Sequence, residues 1–327
     1  MPIKRIGSPD PKYLAATDIL ISDMSNINYD FLLFNRPIIL ITNEWLIKNF
    51  PDLGIKTDLS GLEDAIDRSI KNPGEFEEQR QYWHRRTIHL PDGNSSNRVI
   101  DSVIKHSKIE NPYILLIHGN NEVSKVHLDP LYKVIKERNI RCDYAGFFDE
   151  KRYSNINNLI CISTHNQILG NIRNSYNVHI DHSVKGAGVT DFEKQLEKVK
   201  EMDYHPMTHL HITEGEVSYD KTKKLLGPNR ERVIMIGYPK SDTLLELNTM
   251  ENKKSVFKEL GFNNHNLLIT YAPTGKYSYP FKQGASLSPE VIYKLKRISA
   301  KHNYNILVKL RSSSSFRKKI IGRLRGY

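Results

Sequence analysis

The chain has 327 residues, 39% of them hydrophobic, so it can bury a substantial core and is long enough for two domains. No apolar run approaches the roughly 18 residues that span a bilayer, the N-terminus lacks a signal-peptide core, and two cysteines make no disulfide framework, so we expect a cytoplasmic protein. The net charge of +11 comes from residues 291–327, which contain eleven Lys or Arg and no Asp or Glu.

Short apolar strands alternate with amphipathic helices along the chain. Strands are predicted at residues 18–22, 37–42, 113–118, 158–163, 177–182, 208–213, 232–237, 266–271 and 305–310. The predicted helices include residues 26–34, 61–71, 95–106, 128–138, 191–202, 218–226, 253–260 and 289–301. This alternation predicts an α/β fold with largely parallel sheets that helices cover on both faces.

The segment 18–30 has the pattern of a pocket for a phosphorylated ligand. An apolar strand runs into the polar turn at Ser22 and Asp23, and a helix begins at Ser25 or Asn26. The carboxyl end of a strand followed by a helix N-terminus with free N–H groups is where α/β folds bind phosphate.

A second informative segment, residues 177–188, places a histidine at the end of a strand. His182 is followed by a loop with two glycines, which let a backbone approach a ligand closely. A histidine in such a position can act as a general base near neutral pH, although a histidine with this local pattern alone is more often structural.

These segments resemble motifs of the CDP-glycerol glycerophosphotransferases, the teichoic-acid polymerase family. Residues 18–30 are similar to its nucleotide-side signature D-I-L-I-T-D-Y-S-S, and residues 182–185 are similar to its W-H-G-T-x-x-K motif, with Ser183 in place of glycine. Residues 236–242 resemble its G-Y-P-R-N-D motif, and residues 91–98 resemble its D-G-x-A-S-x-R run.

Two further matches depart from the family pattern. Residues 271–276 resemble Y-A-P-T-W-R, but Gly275 and Lys276 replace the last two residues, so a cation is kept and the aromatic ring is lost. Residues 306–312 correspond to V-R-L-H-P, and Arg311 stands where the family has its second functional histidine. Arginine cannot exchange a proton near neutral pH, but it can bind phosphate with two N–H groups.

The resemblance implies two Rossmann-like, doubly wound domains of the glycosyltransferase-B type, with the nucleotide domain split between the chain ends. Residues 1–108 correspond to its C-terminal part, 109–250 to the acceptor-side domain, and 251–327 to the N-terminal part of the nucleotide domain. Two arrangements remain open. The chain is either a circular permutant, or a slice through a tandem protein in which each half-domain leaves a sheet edge unpaired.

The activity that the resemblance implies is transfer of glycerol phosphate, or a similar polyol phosphate, from a CDP-activated donor to a hydroxyl of a teichoic-acid-like or capsular polymer. His182 takes the role of general base, and Lys185 corresponds to the lysine of the same motif. The residues that would bind the donor phosphates are Asp23, Ser25, Asn26, Ser95, Ser96, Arg98, Thr274, Lys276 and Arg311. The family implies no catalytic metal and no cofactor besides the CDP-activated donor.

Other functions and partners remain open. The same scaffold serves hexosyltransferases and sugar-nucleotide epimerases, and the changes at Ser183 and Arg311 also fit an inactive or fragmentary nucleotide-binding relative. The basic segment 316–327 indicates either an anionic membrane surface, where a lipid-linked acceptor would lie, or a solvated tail. Because aromatic residues are not interleaved with these basic residues, we expect no nucleic-acid partner. An oligomer is compatible with the sequence.

Overall fold

The computed structural model describes residues 3–7, 10–23, 25–41, 50–169, 172–181, 208–273 and 289–309. The chain divides into two compact units. The first comprises residues 1–80 and 247–327, and the second comprises residues 81–246. None of the helices within the described ranges is long and apolar enough to span a membrane.

The described residues form strands and helices in alternation. The strands are β1 (Ile3–Ile6), β2 (Ile19–Ser22), β3 (Ile38–Ile41), β4 (Ile55–Thr57), β5 (Tyr113–Ile117), β6 (Arg141–Ala145), β7 (Leu159–Ser163), β8 (Tyr176–Ile180), β9 (Leu210–Thr213), β10 (Val233–Met235), β11 (Leu268–Ala272) and β12 (Asn305–Lys309). The α-helices are α1 (Pro11–Ala16), α2 (Ile27–Phe31), α3 (Leu62–Lys71), α4 (Glu77–Thr87), α5 (Ser95–Ser107), α6 (Glu122–Glu137), α7 (Glu150–Tyr153), α8 (Asn166–Leu169), α9 (Glu216–Leu226), α10 (Pro239–Glu246), α11 (Met250–Leu260) and α12 (Pro289–His302). Two 3-10 segments, Leu32–Phe34 and Gly227–Arg232, follow α2 and α9.

The first unit contains a six-stranded sheet to which both ends of the chain contribute. Its order is β1-β12-β11-β2-β3-β4, and every pairing is parallel. Strand β2 pairs with β11, so that Ile19 lies opposite Ile269 and Ser22 lies opposite Ala272. When the strands are counted from β11 through β12, β1, β2, β3 and β4, the sheet has the order 3-2-1-4-5-6 of a doubly wound nucleotide-binding fold.

Apolar side chains cover both faces of this sheet. On one face, residues of α3 and α12, such as Ile66 and Leu295, pack with Ile269. On the other face, residues of α1 and α11, such as Tyr13 and Phe257, pack with Leu268. Adjacent residues of a strand point to opposite faces, so an almost continuous apolar run is what a sheet buried on both sides requires.

Asp18 joins the two chain ends within the first unit. Its Oδ2 accepts a hydrogen bond from the backbone N–H of Leu268 at 2.8 Å, and its Oδ1 lies 2.6 Å from Nζ of Lys253. Nearby, the buried hydroxyls of Thr17, which precedes Asp18, and Thr270, which lies in β11, are 2.6 Å apart. These contacts fix β2 beside β11 at the point where the register begins.

The first prediction concerns Asp18. Asp18→Ala leaves the Leu268 N–H and the Lys253 ammonium without this carboxylate, so we expect the free energy of unfolding to fall by about 2 kcal/mol. Urea denaturation followed by circular dichroism measures the change. The matched control is Glu251→Ala, which removes an exposed carboxylate from α11 and should cost less than about 0.5 kcal/mol. An equal decrease in the free energy of unfolding of the two variants would contradict the role of Asp18 in joining β2 to β11.

The second unit contains another six-stranded parallel sheet, with the order β10-β9-β8-β7-β5-β6. Counted from β5, the strand order is 2-1-3-4-5-6, the other common doubly wound arrangement. The chain leaves β5 for β6 on one side and returns to β7 on the other side. The point of reversal therefore lies between β5 and β7.

The boundary after the first unit lies near Arg80, whereas the sequence places it at residue 108. The reason is helix α5. Its buried residues Val99, Ile100 and Val103 pack in one cluster with apolar residues of the second sheet, including Ile114. The helix therefore belongs to the second unit by its packing, although its motif adjoins the first unit in sequence.

All nine predicted strands are confirmed within a few residues. The sequence did not predict β1, β4 and β6, which are largely half-exposed strands. Strands β1 and β4 form the two edges of the first sheet, and β6 forms an edge of the second. Helix α6 begins at Glu122 rather than at residue 128, because Asn121 caps it and Pro130 is accommodated within it. Helices α1, α4, α7, α8 and α10 were also missed, and the predicted helix 191–202 lies outside the described residues.

Candidate functional site

The first candidate site lies where β2 and β11 end side by side. The hydroxyl of Ser22 donates a hydrogen bond to the carbonyl oxygen of Ala272 at 3.1 Å, which joins the ends of the two strands. Asp23 follows and is only 5% exposed. The amide Nδ2 of the buried Asn28 donates to the carbonyl oxygen of Asp23 at 2.7 Å, so the turn after β2 has a fixed path.

The electrostatic effect of Asp23 extends to the neighbouring strand. Burial, together with the charge of Asp23, raises the pKa of Tyr271 above its ordinary value, so the Tyr271 hydroxyl stays protonated. Ser25 is half-buried, and Asn26 is exposed and caps α2 without a side-chain hydrogen bond to it. The structure thus brings Asp23, Ser25 and Asn26 to the carboxyl edge of the sheet, next to β11.

This position is the switch point of the first sheet. Strands β11 and β2 are adjacent, and the chain continues from them toward opposite edges, to β12 and to β3. Ligands of open α/β sheets bind in the crevice outside the carboxyl ends of such a strand pair. Thr274, Lys276 and Arg311 follow β11 and β12 but lie outside the described residues.

The second group of predicted phosphate ligands, at the start of α5, makes contacts within the chain. The backbone N–H groups of Ser95 and Ser96 donate to the two carboxylate oxygens of Asp242 at 3.0 and 2.7 Å. The guanidinium of Arg98 contacts both carboxylate oxygens of Asp92 at 2.7 and 2.8 Å and donates to the carbonyl oxygen of Ile236 at 3.1 Å. A phosphate at this helix start would have to displace the Asp242 carboxylate.

Two motifs that are far apart in the sequence are therefore joined by hydrogen bonds into one interlock. Residues 91–98 provide the N–H groups and the guanidinium, and residues 236–242 provide the acceptors. Gly237, in the second of these motifs, lies where the two motifs meet and has φ 127°. A Cβ atom there would be 2.8 Å from both the carbonyl oxygen of His89 and Oγ of Ser95. A glycine is required at this position because of both its backbone conformation and the close approach of its neighbours.

The strand that precedes the predicted base in the sequence ends at the carboxyl edge of the second sheet. Strand β8 ends at Ile180, Asp181 follows it with 2% exposure, and His182 and Lys185 lie outside the described residues. Nδ1 of His179 is 3.7 Å from Oδ1 of Asp181, and the rings of His179 and His211 are 5.5 Å apart. The buried Glu214 follows the adjacent strand β9.

A polar cluster that the sequence did not predict lies at the switch point of the second sheet. The hydroxyl of Ser124, in the first turn of α6, is 2.9 Å from Nε2 of His165, which follows β7. The hydroxyl of Thr164 donates to Oγ of Ser124 at 2.9 Å. Polar residues directly after the apolar runs of β5 and β7 were the available signal, but only the sheet order shows that the two loops are neighbours.

A comparison with protein families gives one match. The model described as CDP-glycerol:poly(glycerophosphate) glycerophosphotransferase matches residues 11–105 and 172–320, which is most of the chain. The protein belongs to this glycerophosphotransferase family. No curated protein and no solved structure matches the chain.

Membership in the family gives the carboxyl edges of the two sheets a chemical context. The family indicates a transferase of the teichoic-acid type, with a CDP-glycerol donor and a polymer acceptor. The matched segments include β2 and β11 with the switch point of the first sheet, and also β8 and β9 of the second. Residues 106–171, which include β5, α6 and β7, lie outside the segments that match the family model.

Proposed function

We propose that the protein transfers glycerol phosphate, or a similar polyol phosphate, from a CDP-activated donor to a hydroxyl of a teichoic-acid-like or capsular polymer. The observation that carries this proposal is the parallel pairing of β2 with β11. The pairing sets Tyr271 and Ala272, the first residues of the 271–276 motif, beside β2 of the 18–30 motif, although the two motifs are far apart in the sequence, and this supports a shared donor site.

The same pairing supports a circularly permuted nucleotide domain of the glycosyltransferase-B type. The tandem-slice arrangement would leave β2 and β11 with unpaired edges, whereas here they pair with each other within one chain. The strand order counted from β11 is that of a doubly wound nucleotide-binding domain. We therefore assign the donor to the first unit and the acceptor to the second.

In the proposed reaction, His182 takes the proton of the acceptor hydroxyl. The acceptor oxygen forms a bond to the β-phosphorus of the donor, the bond from this phosphorus to the bridging oxygen breaks, and CMP leaves with the electron pair. Asp23, Ser25 and Asn26 shape the donor turn, and Thr274, Lys276 and Arg311 would supply hydroxyl and cationic groups for the phosphates. Charge stabilisation of this kind usually dominates phosphoryl transfer.

We assign a supporting role to Ser95, Ser96 and Arg98. Their donors bind Asp242, Asp92 and the Ile236 carbonyl, so in this proposal they hold the 236–242 loop, and direct phosphate contacts require displacement of these partners. Lys185 stays a predicted charged partner beside His182. The membrane-surface role predicted for residues 316–327 falls outside the described residues and stays a prediction.

The experiment that tests the proposed function is a CMP-release assay. The full chain is incubated with CDP-glycerol and a lipid-linked glycerol phosphate primer, and we expect CMP release that depends on the primer. Thermal shifts with CDP, UDP and GDP provide the specificity control, and we expect the largest stabilisation with CDP. Preference for UDP or GDP would favour a hexosyltransferase or epimerase, and no stabilisation by any nucleotide would favour an inactive relative.

A further inference from the structure

The turn after β2 directs its carbonyl oxygens toward α2. The carbonyl oxygen of Asp23 accepts a hydrogen bond from Nδ2 of Asn28 at 2.7 Å, and that of Ser25 accepts one from the backbone N–H of Asn28 at 3.1 Å. The carbonyl oxygen of Asn26 accepts a hydrogen bond from the backbone N–H of Tyr29 at 3.0 Å. The negative ends of these peptide dipoles are therefore held by the first turn of α2.

Among the residues that the structure describes, the backbone N–H groups of Ser25 and Asn26 have no hydrogen-bond acceptor. They lie where β2 and β11 end side by side, at the switch point of the first sheet. Backbone N–H groups stabilise an anion, whereas carbonyl oxygens repel it. The direction in which the carbonyl groups of this turn are fixed therefore decides whether the turn can bind a phosphate.

The side chain of Asn28 makes the longest of these connections, from α2 back to the end of β2. It is completely buried, so water does not compete for its amide. A carbonyl oxygen only accepts hydrogen bonds, so the end of the amide that meets Asp23 is Nδ2 and the other end is Oδ1. This Oδ1 is also buried, and no hydrogen-bond donor among the described residues reaches it.

An unpaired amide oxygen in the interior lowers the stability of a fold. Burial of a polar group without a hydrogen bond costs free energy, and buried polar groups of native proteins are therefore nearly always paired. A leucine has almost the shape of an asparagine and would carry no such cost. Departures from this rule are expected where a function requires them. The hydrogen bond of Asn28 to the Asp23 carbonyl explains the amide at this position, whereas packing alone does not.

We propose that Asn28 is a positioning residue for the donor, because it holds the carbonyl oxygens of Asp23 and Ser25 in the interior. The turn then presents N–H groups rather than carbonyl oxygens to the phosphates of a nucleoside-diphosphate donor. Asn28 does not touch the ligand, since its side chain is completely buried, and it acts through the backbone of the turn. The identity of the donor rests on the proposed function, whereas the hydrogen bonds of the turn do not.

The test measures the binding of CDP and of cytidine to the full chain by isothermal titration calorimetry. In Asn28→Leu the Asp23 carbonyl loses its donor, and we expect the Kd of CDP to rise about tenfold, the effect of one weakened hydrogen bond to a charged group. The Kd of cytidine, which has no phosphate, should not change. The melting temperature without ligand should stay close to that of the unmodified protein, because the variant removes the unpaired oxygen together with the hydrogen bond.

The matched control is Tyr29→Phe. The Tyr29 hydroxyl is also buried and has no hydrogen-bond partner among the described residues. The variant therefore removes a polar atom from the same turn of α2 but keeps the backbone N–H that binds the Asn26 carbonyl oxygen. We expect CDP and cytidine to bind to Tyr29→Phe as they bind to the unmodified protein.

An unchanged Kd of CDP in Asn28→Leu, an equal rise in Tyr29→Phe, or a parallel rise in the Kd of cytidine would overturn the inference. So would a lack of CDP binding by the unmodified protein. If neither Asn28→Leu nor Asn28→Ala folds, the residue serves the fold alone and the inference is also overturned.

CMP release is measured separately, so the inference and the proposed function can fail independently. A protein that binds CDP through the Asn28 amide but releases no CMP would refute the transferase and keep the positioning role. A protein that releases CMP and binds CDP equally well with and without the amide would keep the transferase and refute the positioning role.

Discussion

Replacement of His182 by alanine is expected to lower the rate of CMP release from CDP-glycerol by about 10²- to 10⁴-fold, the usual contribution of a positioned general base. The physical reason is that the acceptor hydroxyl is a poor nucleophile until its proton is removed. A histidine is the side chain whose ordinary pKa suits this task near neutral pH. Because binding of the donor is assigned to the first unit, we expect the thermal shift with CDP to be unchanged.

The matched control for His182 is His265→Ala, which removes an exposed imidazole from the loop before β11. This variant should keep full activity. Thermal melting of both variants without ligand verifies that they are folded. Equal rates for His182→Ala and the unmodified enzyme would remove His182 from the mechanism, and a lost CDP response would indicate that the residue acts in folding or donor binding instead.

The second large effect is expected at Gly237. Gly237→Ala places a Cβ atom 2.8 Å from the carbonyl oxygen of His89 and from Oγ of Ser95, at a residue with φ 127°. The backbone conformation alone costs about 1–3 kcal/mol for a non-glycine residue, and the contact with a backbone oxygen cannot be relieved by a side-chain rotation. We expect the free energy of unfolding to fall by about 3 kcal/mol or more, as measured by urea denaturation.

Gly261→Ala separates these two contributions. Gly261 also has a positive φ of 63°, but no atom lies within 4 Å of the position of an added Cβ. The alanine variant should therefore lose only about 1 kcal/mol. If the two glycine variants lose the same stability, the interlock between residues 91–98 and 236–242 does not depend on close approach at Gly237.

Local patterns in the sequence were enough to identify the buried strands. Strands such as β5 and β7 are almost entirely apolar, with Ser163 at the end of β7 as the polar exception, because both of their faces are covered. Edge strands gave no such signal. Strand β1 carries Lys4 and Arg5, and β6 begins with the exposed Arg141, so their strand structure depends on the neighbouring strand rather than on their own apolar pattern.

The candidate sites were predictable to a different extent. The turn at Asp23 and Asn26 was visible as a strand, a polar turn and a helix start, since all three are local features. The contact of Asp242 with the N–H groups of Ser95 and Ser96 was not visible, because the partners are about 150 positions apart in the chain. The N-terminus of α5, which has the sequence pattern of a phosphate site, thus donates its N–H groups to a carboxylate of the same chain.

The sequence by itself determined the α/β class, the buried strands and the family motifs, because periodicity and strand–turn–helix patterns are encoded over a few consecutive residues. Only the tertiary structure decided that β2 pairs with β11, whose ends at Ser22 and Ala272 are 250 positions apart. It also decided that the side chains of Asn121 and Ser124 lie beside Nε2 of His165. Such pairings depend on the burial of many side chains at once, and no local segment contains the information about its distant partner.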